Sequence, residues 1–385
     1  LVMKVALLAP LPPEPSGIAN YAGYLREHLA QRGVEWILPP ADASRADQLA
    51  YLRKQGVVLA HAEFGAGLTR HFPLARQLIA AGVPLTATIH DPQRLVWRTF
   101  GDTWLERLPP LAQKAVTLLG HPYSLQQERA LARSMACLIP LTSAGGDSLQ
   151  RALGVDPQRI CVIPHGVANI APSPLPPADP LRVLMFGFLY PGKGIEDLLA
   201  AVRLALDTAP ALSGRMTFTI AGGSKPLMLA GQSVDYVAQL RTSIARLQLQ
   251  EHVSVRTDFP ESTLPALVQS HHLMVLPYRD SQKIRLMGRL YATSGALAWA
   301  IACGRGALVS DARAMPSEVA FGNGAAFVQQ DPGALAAWLI RLVEQPQQVT
   351  DWANAAATLA KSRTWPEIAR CYHEVFERAA LGNGQ

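Results

Sequence analysis

The stretch LRVLMFGFLYPGKGIEDLLAAVRLAL, residues 181–206, carries the reading of the fold. Its first seven residues are a short apolar run, the mark of a buried strand. A glycine-bounded turn follows, with Lys193 between Gly192 and Gly194. Ile195, Leu198, Leu199, Val202 and Leu206 then recur at the spacing of one helical face. Strand, glycine turn and helix in that order make one unit of a parallel sheet, and its neighbours should repeat the pattern. The turn also carries chemistry. Lys193 stands at the helix start, where its charge and the helix N–H groups both favour phosphate, while Glu196 and Asp197 complement the helix dipole. The P-loop pattern is absent, and a solvated surface lysine is the competing reading of this residue on its own.

Outward from this stretch the alternation repeats in both directions. Before it come the apolar runs KVALLA (4–9), GVVLAH (56–61), PLTATIH (84–90), ACLIPLT (136–142) and RICVIPH (159–165), with a helix from about Ile18 stopped by Gly33. After it come MTFTIAG (216–222), HVSVRT (252–257), LMVLPY (273–278), GALVSD (306–311) and AAFVQ (325–329). Between the halves lies APSPLPPADP (171–180), five prolines in ten residues, which can neither pair centrally in a sheet nor continue a helix. The pattern predicts two similar α/β domains with doubly wound parallel sheets, residues 1–172 and 181–363, joined by a linker at 173–180. In such sheets ligands bind beyond the carboxyl ends of the strands, and two facing domains would place the site in the cleft between them.

The bulk numbers agree with this and narrow the partners. At 385 residues, 49% of them hydrophobic, the chain can fill two cores. Only 17% are charged and no long low-complexity tract occurs, which argues against global disorder. The net charge of +6 favours anionic partners; it is too mild and dispersed for nucleic acid, and no nucleic-acid motif is present. The four cysteines, Cys137, Cys161, Cys303 and Cys371, lack metal or redox spacing and read as buried free thiols of a reducing cytoplasm. The opening LVMKVALLAP reads as a first strand rather than a signal peptide. No run approaches the roughly 20 apolar residues of a membrane span.

Candidate site residues gather where strands end. PLPPEPSGIANY (10–21) joins the first strand to the first helix and puts Ser16 and Gly17 where a backbone could approach an anion. HAEFG (61–65) and TIHD (88–91) supply His61, Glu63, His90 and Asp91, each histidine read as lying at a strand's carboxyl end. IPHGV (163–167) adds His165. In the second half Gly187, Gly192 and Gly222 close strands or flank Lys193, and Tyr278 and Arg279 follow a strand. SGALAWAIACGR (294–305) starts a helix at Ser294 and Gly295, whose N–H groups would suit a diphosphate, and places Trp299 within it.

In order and spacing these pieces resemble the retaining glycosyltransferases of family four, which have the GT-B fold. The resemblance covers nearly the whole chain: the first glycine turn, TIHD, SLQRALGVDPQRICVIPHGV (148–167), GFLYPGKGIEDLLAAV (187–202), YRD (278–280), SGALAWAIACGR and TWPEIARCYHEVF (364–376). HAEFG, GFLYPGKG and SGALAWA together look like a bacterial branch tied to mannan and other polysaccharide pathways. The resemblance implies an acceptor-binding first domain, a nucleotide-sugar-binding second domain, and a final helix, about 364–385, packed back on the first. It implies hexose transfer with retention and without a metal or other cofactor. GDP-mannose is the first donor to expect and UDP-glucose the next; the acceptor would be a glycan or lipid-linked glycan. It assigns Lys193 to the diphosphate, His90 to the neighbourhood of the transferred sugar, and Gly17, Ser294 and Gly295 to the phosphate pocket.

The chain also departs from the family. Tyr291 and Trp299 fall where two glutamates usually hold ribose and sugar, and Phe188 and Tyr190 stand where arginine is common. Trp299 reads equally as core, since ALAWAIA is an apolar helix. Replacement charge is expected from Arg279, Lys283, Arg285 or Arg289, against a plain solvated basic loop. The segment 96–116 mixes tryptophan with arginine and lysine, so peripheral contact with an anionic membrane is weighed against an ordinary amphipathic helix. The lost glutamates motivate a second reading, a non-catalytic GT-B protein that binds a sugar nucleotide or glycan or supports a partner transferase. A glycan phosphorylase would need pyridoxal phosphate on a lysine, and no such lysine motif is found.

Overall fold

The structure, a computed structural model, describes all residues except 1, 15, 67, 69, 98–108, 110, 111, 113, 114, 117–119, 224–226, 230, 231, 258, 281–287 and 383–385. It divides into two compact units: residues 1–166, 283–293 and 365–385 form the first, and 167–282 with 294–364 the second.

In the first unit the apolar runs become β1 (Met3–Leu8), β2 (Val34–Ile37), β3 (Leu59–Phe64), β4 (Leu85–Ile89) and β5 (Cys137–Pro140). All pair in parallel, in the order β2-β1-β3-β4-β5. The helices are α1 (Gly17–Ala30), α2 (Arg45–Lys54), α3 (Phe72–Ala80), α4 (His121–Ser134) and α5 (Ser143–Leu153). Successive strand side chains point to opposite faces. Ala6, Leu8, Ala60 and Ala62 therefore enter one core, while Val5 and Leu59 enter another with Tyr21, Leu25 and Leu29 of α1. That second core is completed by the last helix, Trp365–Leu381, through Trp365, Ile368, Tyr372, Val375 and Phe376.

Two expected strands differ from the sequence reading. The third begins at Leu59 rather than at residue 56, with Val58 half exposed, so His61 sits inside the strand and not at its end. RICVIPH pairs with β5 by a single bridge, Leu138 to Ile160. Cys161 and Ile163 donate their N–H groups to Leu138 and Pro140, but Pro140 has no N–H to return, so the ladder stops.

The second unit carries β6 (Leu181–Phe186), β7 (Met216–Ala221), the hairpin β8 (Leu227–Leu229) and β9 (Gln232–Val234), β10 (Val253–Arg256), β11 (Leu273–Leu276), β12 (Gly306–Ser310) and β13 (Gly324–Phe327). Its main sheet runs β10-β7-β6-β11-β12-β13, again parallel. Counted within the unit this is the order 3-2-1-4-5-6 of dinucleotide-binding sheets, whose crevice opens between the first and fourth strands, here β6 and β11. Helices α6 (Ile195–Thr208), α7 (Tyr236–Arg246), α8 (Leu264–Gln269), α9 (Gly295–Ala302), α10 (Met315–Val319), α11 (Pro332–Glu344) and α12 (Pro346–Ser362) follow, and the back-packing helix Trp365–Leu381 is α13. Val183, Met185, Phe218 and Ile220 face α6, α7 and α11; Leu184, Met274, Leu276 and Val309 face α8 and α9.

The proline-rich stretch is not a free linker. Residues 173–180 belong to the second unit, where the buried Arg305 guanidinium donates to the carbonyls of Ser173 and Pro174 at 3.1 and 2.9 Å, and to those of Gln269 and His271 at 2.8 Å each. The change of unit falls after Gly166 instead.

A polar bridge ties α13 into the first sheet. The Tyr372 hydroxyl lies 2.9 Å from both the Tyr21 hydroxyl and Thr88 Oγ1, all three buried. Burial pushes both phenols well above their ordinary pKa, so both stay neutral. Tyr372→Phe takes away the partner of the buried Tyr21 hydroxyl and should cost the first unit about 1–3 kcal/mol in urea denaturation; a loss below about 0.5 kcal/mol would mean that the bridge contributes nothing.

Candidate functional site

Each unit gathers its polar groups at the carboxyl ends of its strands. In the first, β3 and β4 place His61, Glu63, Thr86 and Thr88 side by side through the pairings His61–Thr86 and Glu63–Thr88. Glu63 is fully buried. Its carboxylate receives His90 Nε2 at 2.6 Å and His61 Nε2 at 3.2 Å, and the Thr88 hydroxyl at 3.4 Å. Burial alone would raise its pKa, but hydrogen bonds from His61 and His90, and their charge, outweigh that and hold the carboxyl below its usual range. A carboxylate only accepts, so each ring turns an Nε2–H toward it. His61 Nδ1 is occupied by Thr86 Oγ1 at 2.9 Å.

Of these groups only His90 reaches the surface: it keeps 10% side-chain exposure, while His61 and Glu63 have none. His61 and Glu63, expected as ligand contacts, are closed off from solvent, and His90 is the member of this network that solvent reaches. Its backbone N–H is anchored to Phe64 O at 2.8 Å, and its ring packs edge-on against Tyr21 at 5.0 Å. Asp91, offered as a ligand contact, receives the Ala66 N–H at 2.9 Å and so braces the turn after β3. Ser16 caps α1 by accepting from Ala19 N at 3.0 Å. Gly17 is exposed, and a Cβ there would meet nothing within 4 Å, which leaves open space in front of the helix start. His165 is half-buried, packed edge-on against Tyr21 and beside Trp365.

In the second unit the switch point between β6 and β11 brings together Lys193 and Tyr278. Lys193 Nζ lies 3.8 Å from the Tyr278 ring centroid and 5.5 Å from that of Tyr190. The Arg313 guanidinium lies 5.1 Å from the same Tyr278 ring. Tyr278 is fully buried, and its hydroxyl is 3.0 Å from Ser294 Oγ. Burial opposes its ionisation, yet the charge of Lys193, with hydrogen bonds from Ser294 and Lys193 and the charge of Arg313, brings the phenol below its ordinary value. Ser294 is the N-cap residue of α9 but makes no capping hydrogen bond, its hydroxyl being turned to Tyr278. The start of α9 is thus not closed by a side chain, and Gly295 beside it is exposed. An open helix start beside two cations is an anion site in its chemistry.

The glycines explain how the strands come this close. A Cβ on Gly194, at φ +70°, would fall on the Pro277 carbonyl, and one on Gly222 would fall on that of Gly187. A Cβ on Gly187 would stand 3.8 Å from the Tyr278 hydroxyl and 3.9 Å from Lys193 Nζ, so this residue lines the cluster. Gly192, at φ +98°, turns the chain ahead of the lysine and accepts Arg279 N at 3.0 Å.

Several expectations are corrected. Arg279 is engaged within the fold: it makes two bonds of 2.6 Å to Asp197, pinning the loop after β11 to the first turn of α6. Lys283 and Arg285 lie outside the described residues, as does most of the segment 96–116. Arg289 and Tyr291 belong to the first unit, where Tyr291 N donates to Pro92 O. Trp299 is half-buried against the apolar core around α9. Phe188 is exposed. Arg313 was not among the expected residues. It lies in the loop between β12 and α10 at φ +56°, and nothing in VSDARAMP marks it apart from any surface arginine.

Two parallel-sheet Rossmann-like units of these strand orders are the fold of GT-B glycosyltransferases. Residues 180–345 match the family model described as glycosyl transferases group 1. The chain is similar over 98% of its length to Anabaena HepE in complex with UDP, with a TM-score of 0.68 and 17% identity, covering 100% of that chain. It is similar over 99% to sucrose-phosphate synthase from Thermosynechococcus elongatus, with a TM-score of 0.69 and 18% identity, again covering 100% of that chain. Among curated proteins, D-inositol 3-phosphate glycosyltransferase of Streptomyces bingchenggensis is 26% identical over 259 residues, 64% of this chain and 53% of that protein. The chain thus spans about half the length of that relative. Among the described residues no helix is long and apolar enough to cross a membrane.

Proposed function

We propose that the chain is a glycosyltransferase that moves a hexosyl group from a nucleoside-diphosphate sugar to a glycan or lipid-linked glycan, with retention of configuration. The observation that carries this reading is the Lys193–Tyr278–Arg313 cluster beside the open start of α9. Transfer leaves negative charge on the departing diphosphate, and fixed cations with helix N–H groups stabilise it. In this reading Lys193 and Arg313 supply the neutralisation for which many such enzymes use other arginines. Lys193 is the catalytic cation, and Tyr278 holds it and Ser294 in place. Within the first unit, His90, set by Glu63, is the group offered to a sugar. The resemblance still ranks mannose first and glucose next; the UDP bound to Anabaena HepE supports testing UDP-sugars alongside GDP-mannose.

The test is a thermal-shift panel of GDP, UDP, ADP and dTDP, each with and without Mg²⁺. A ligand at about a hundred times its Kd adds about 2.7 kcal/mol of stability, so one nucleotide should raise the Tm by a few degrees without metal. A response only with Mg²⁺ would overturn the metal-independent part. No response to any nucleotide would favour the non-catalytic reading, which the aromatic residues at 291 and 299 motivate.

A further inference from the structure

Backbone pairing of β12 with β13 runs as far as Ser310 and Phe327. Beyond it, side chains join the carboxyl ends of three strands of the second unit. Asp311 Oδ1 accepts Gln329 N at 2.9 Å. The Gln329 carboxamide meets Asp280, in the loop after β11, twice. Its Oε1 accepts Asp280 N at 2.8 Å, and its Nε2 donates to Asp280 Oδ2 at 3.3 Å. The other carboxylate oxygen, Asp280 Oδ1, accepts Arg313 N at 3.3 Å. A continuous run of contacts thus leads from the end of β13, through Asp280, to the root of Arg313.

The backbone at both ends of this run is unusual. Arg313 holds φ +56°, and Gln330, next to Gln329, holds φ +59°. Left-handed backbone disfavours any residue with a Cβ and persists only where its surroundings enforce it. At Arg313 that conformation goes with a guanidinium 5.1 Å from the centre of the Tyr278 ring. The Ser310 hydroxyl donates to Tyr278 O at 2.7 Å, so the end of β12 is tied to the residue that Arg313 overlies.

We propose that Gln329 is a positioning residue of the anion site: acting through Asp280, it holds the Arg313 backbone in the conformation that sets the guanidinium over Tyr278. This rests on the reading of Lys193, Tyr278 and Arg313 as the phosphate cluster. A guanidinium on a long stem serves a developing charge best when its root is fixed beforehand. A carboxamide suits the task because it both accepts and donates. It answers the N–H and the carboxylate of Asp280 together, which a carboxylate or an ammonium cannot do. Asp280 is thereby held with one oxygen toward Gln329 and the other toward Arg313 N.

The experiment compares the wild-type chain with Gln329→Ala, Gln329→Glu, Arg313→Ala and the double variant Gln329→Ala/Arg313→Ala. The bond from Gln329 N to Asp311 uses the main chain and survives both changes at 329. Residue-resolved NMR reads the protein without ligand. Gln329→Ala should speed hydrogen exchange of the Arg313 amide about tenfold and leave the Leu308 and Val309 amides of β12 unchanged. It should also move the Arg313 Nε–H signal toward that of a solvated arginine. Calorimetry with inorganic pyrophosphate then reads the site. Gln329→Ala and Arg313→Ala should each weaken binding about tenfold, and the double variant should be no weaker than Arg313→Ala alone. Gln329→Glu keeps the acceptor for Asp280 N but loses the donor, and should weaken binding in the same direction. An Arg313 amide that exchanges as in the wild type would overturn the positioning role. So would a double variant that loses the product of the two single factors. A wild-type chain that binds no pyrophosphate would instead overturn the phosphate reading, and the Arg313 exchange rates would still decide what Gln329 holds.

Discussion

Lys193→Ala should lower kcat/KM for sugar transfer by about a hundredfold, close to 2.7 kcal/mol of lost transition-state stabilisation. The magnitude follows from where the ammonium sits. It is half-buried over a fully buried tyrosine, shares that ring with Arg313, and faces the uncapped start of α9. A charge in such a place is screened less than a surface lysine and needs no reorganisation when charge develops on the leaving group. Because Arg313 acts on the same region, the double variant with Arg313→Ala should lose less than the two single losses summed. The fold should hold, since Lys193 fills no core position. Release of nucleoside diphosphate and its affinity by calorimetry are the measurements. Loss of less than threefold in both would remove Lys193 from the site.

Glu63→Ala should be the most costly change in the first unit, about 3–5 kcal/mol. Two imidazole N–H groups and the Thr88 hydroxyl converge on this carboxylate. Removing it leaves His90 Nε2–H without its acceptor and His61 Nε2–H with only Thr88 Oγ1 at 3.1 Å. Hydrogen exchange of the β3 and β4 amides reads the loss in that unit directly. Glu63→Gln should lose less, because one oxygen still accepts, while its amide meets an N–H head-on. The pH dependence has a definite sign. The folded pKa is below the unfolded one, so Glu63 contributes its full stability above the unfolded value of about 4.3 and loses it as pH falls through the folded value. The wild-type minus Glu63→Gln difference should therefore shrink from pH 6 toward pH 3. A difference independent of pH would show that the carboxylate is not ionised in the folded chain.

How far the sequence could be read depended on where each element takes its stability from. β11 is an unbroken apolar run buried at every residue, and β1, β4, β6 and β7 stand out because only Lys4, Thr86 and Thr88, Arg182, and Thr217 and Thr219 interrupt their apolar residues. β2 is a four-residue edge strand with two of its residues not buried, and VEWI carries too little pattern to be found. The hairpin of β8 and β9 went unread for the same reason of length. His61 and Glu63 interrupt the apolar run of β3, which is why that strand was placed three residues early. Of the proposed site residues, Lys193 and Ser294 in the second unit and His90 in the first could be picked out because each sits next to a strand or helix end. Arg313, Tyr21 and Tyr372 were not. Their roles come from packing between segments, and Tyr21 meets Tyr372 across 351 residues of chain, a separation that no local spacing rule covers.

That last separation sets a timetable for synthesis. The face of the first sheet bearing Val5, Leu59 and Ile139 is covered by α13, which begins at Trp365. Residues 1–166 therefore leave the ribosome roughly 200 residues before their cover, a wait of about 10–40 s at about 5–20 residues per second. Through that interval the part of this face that α1 does not cover stays open while the whole of the second unit is being made. A nascent chain stopped before Trp365 should hold chaperones, and one extended past Leu381 should release them.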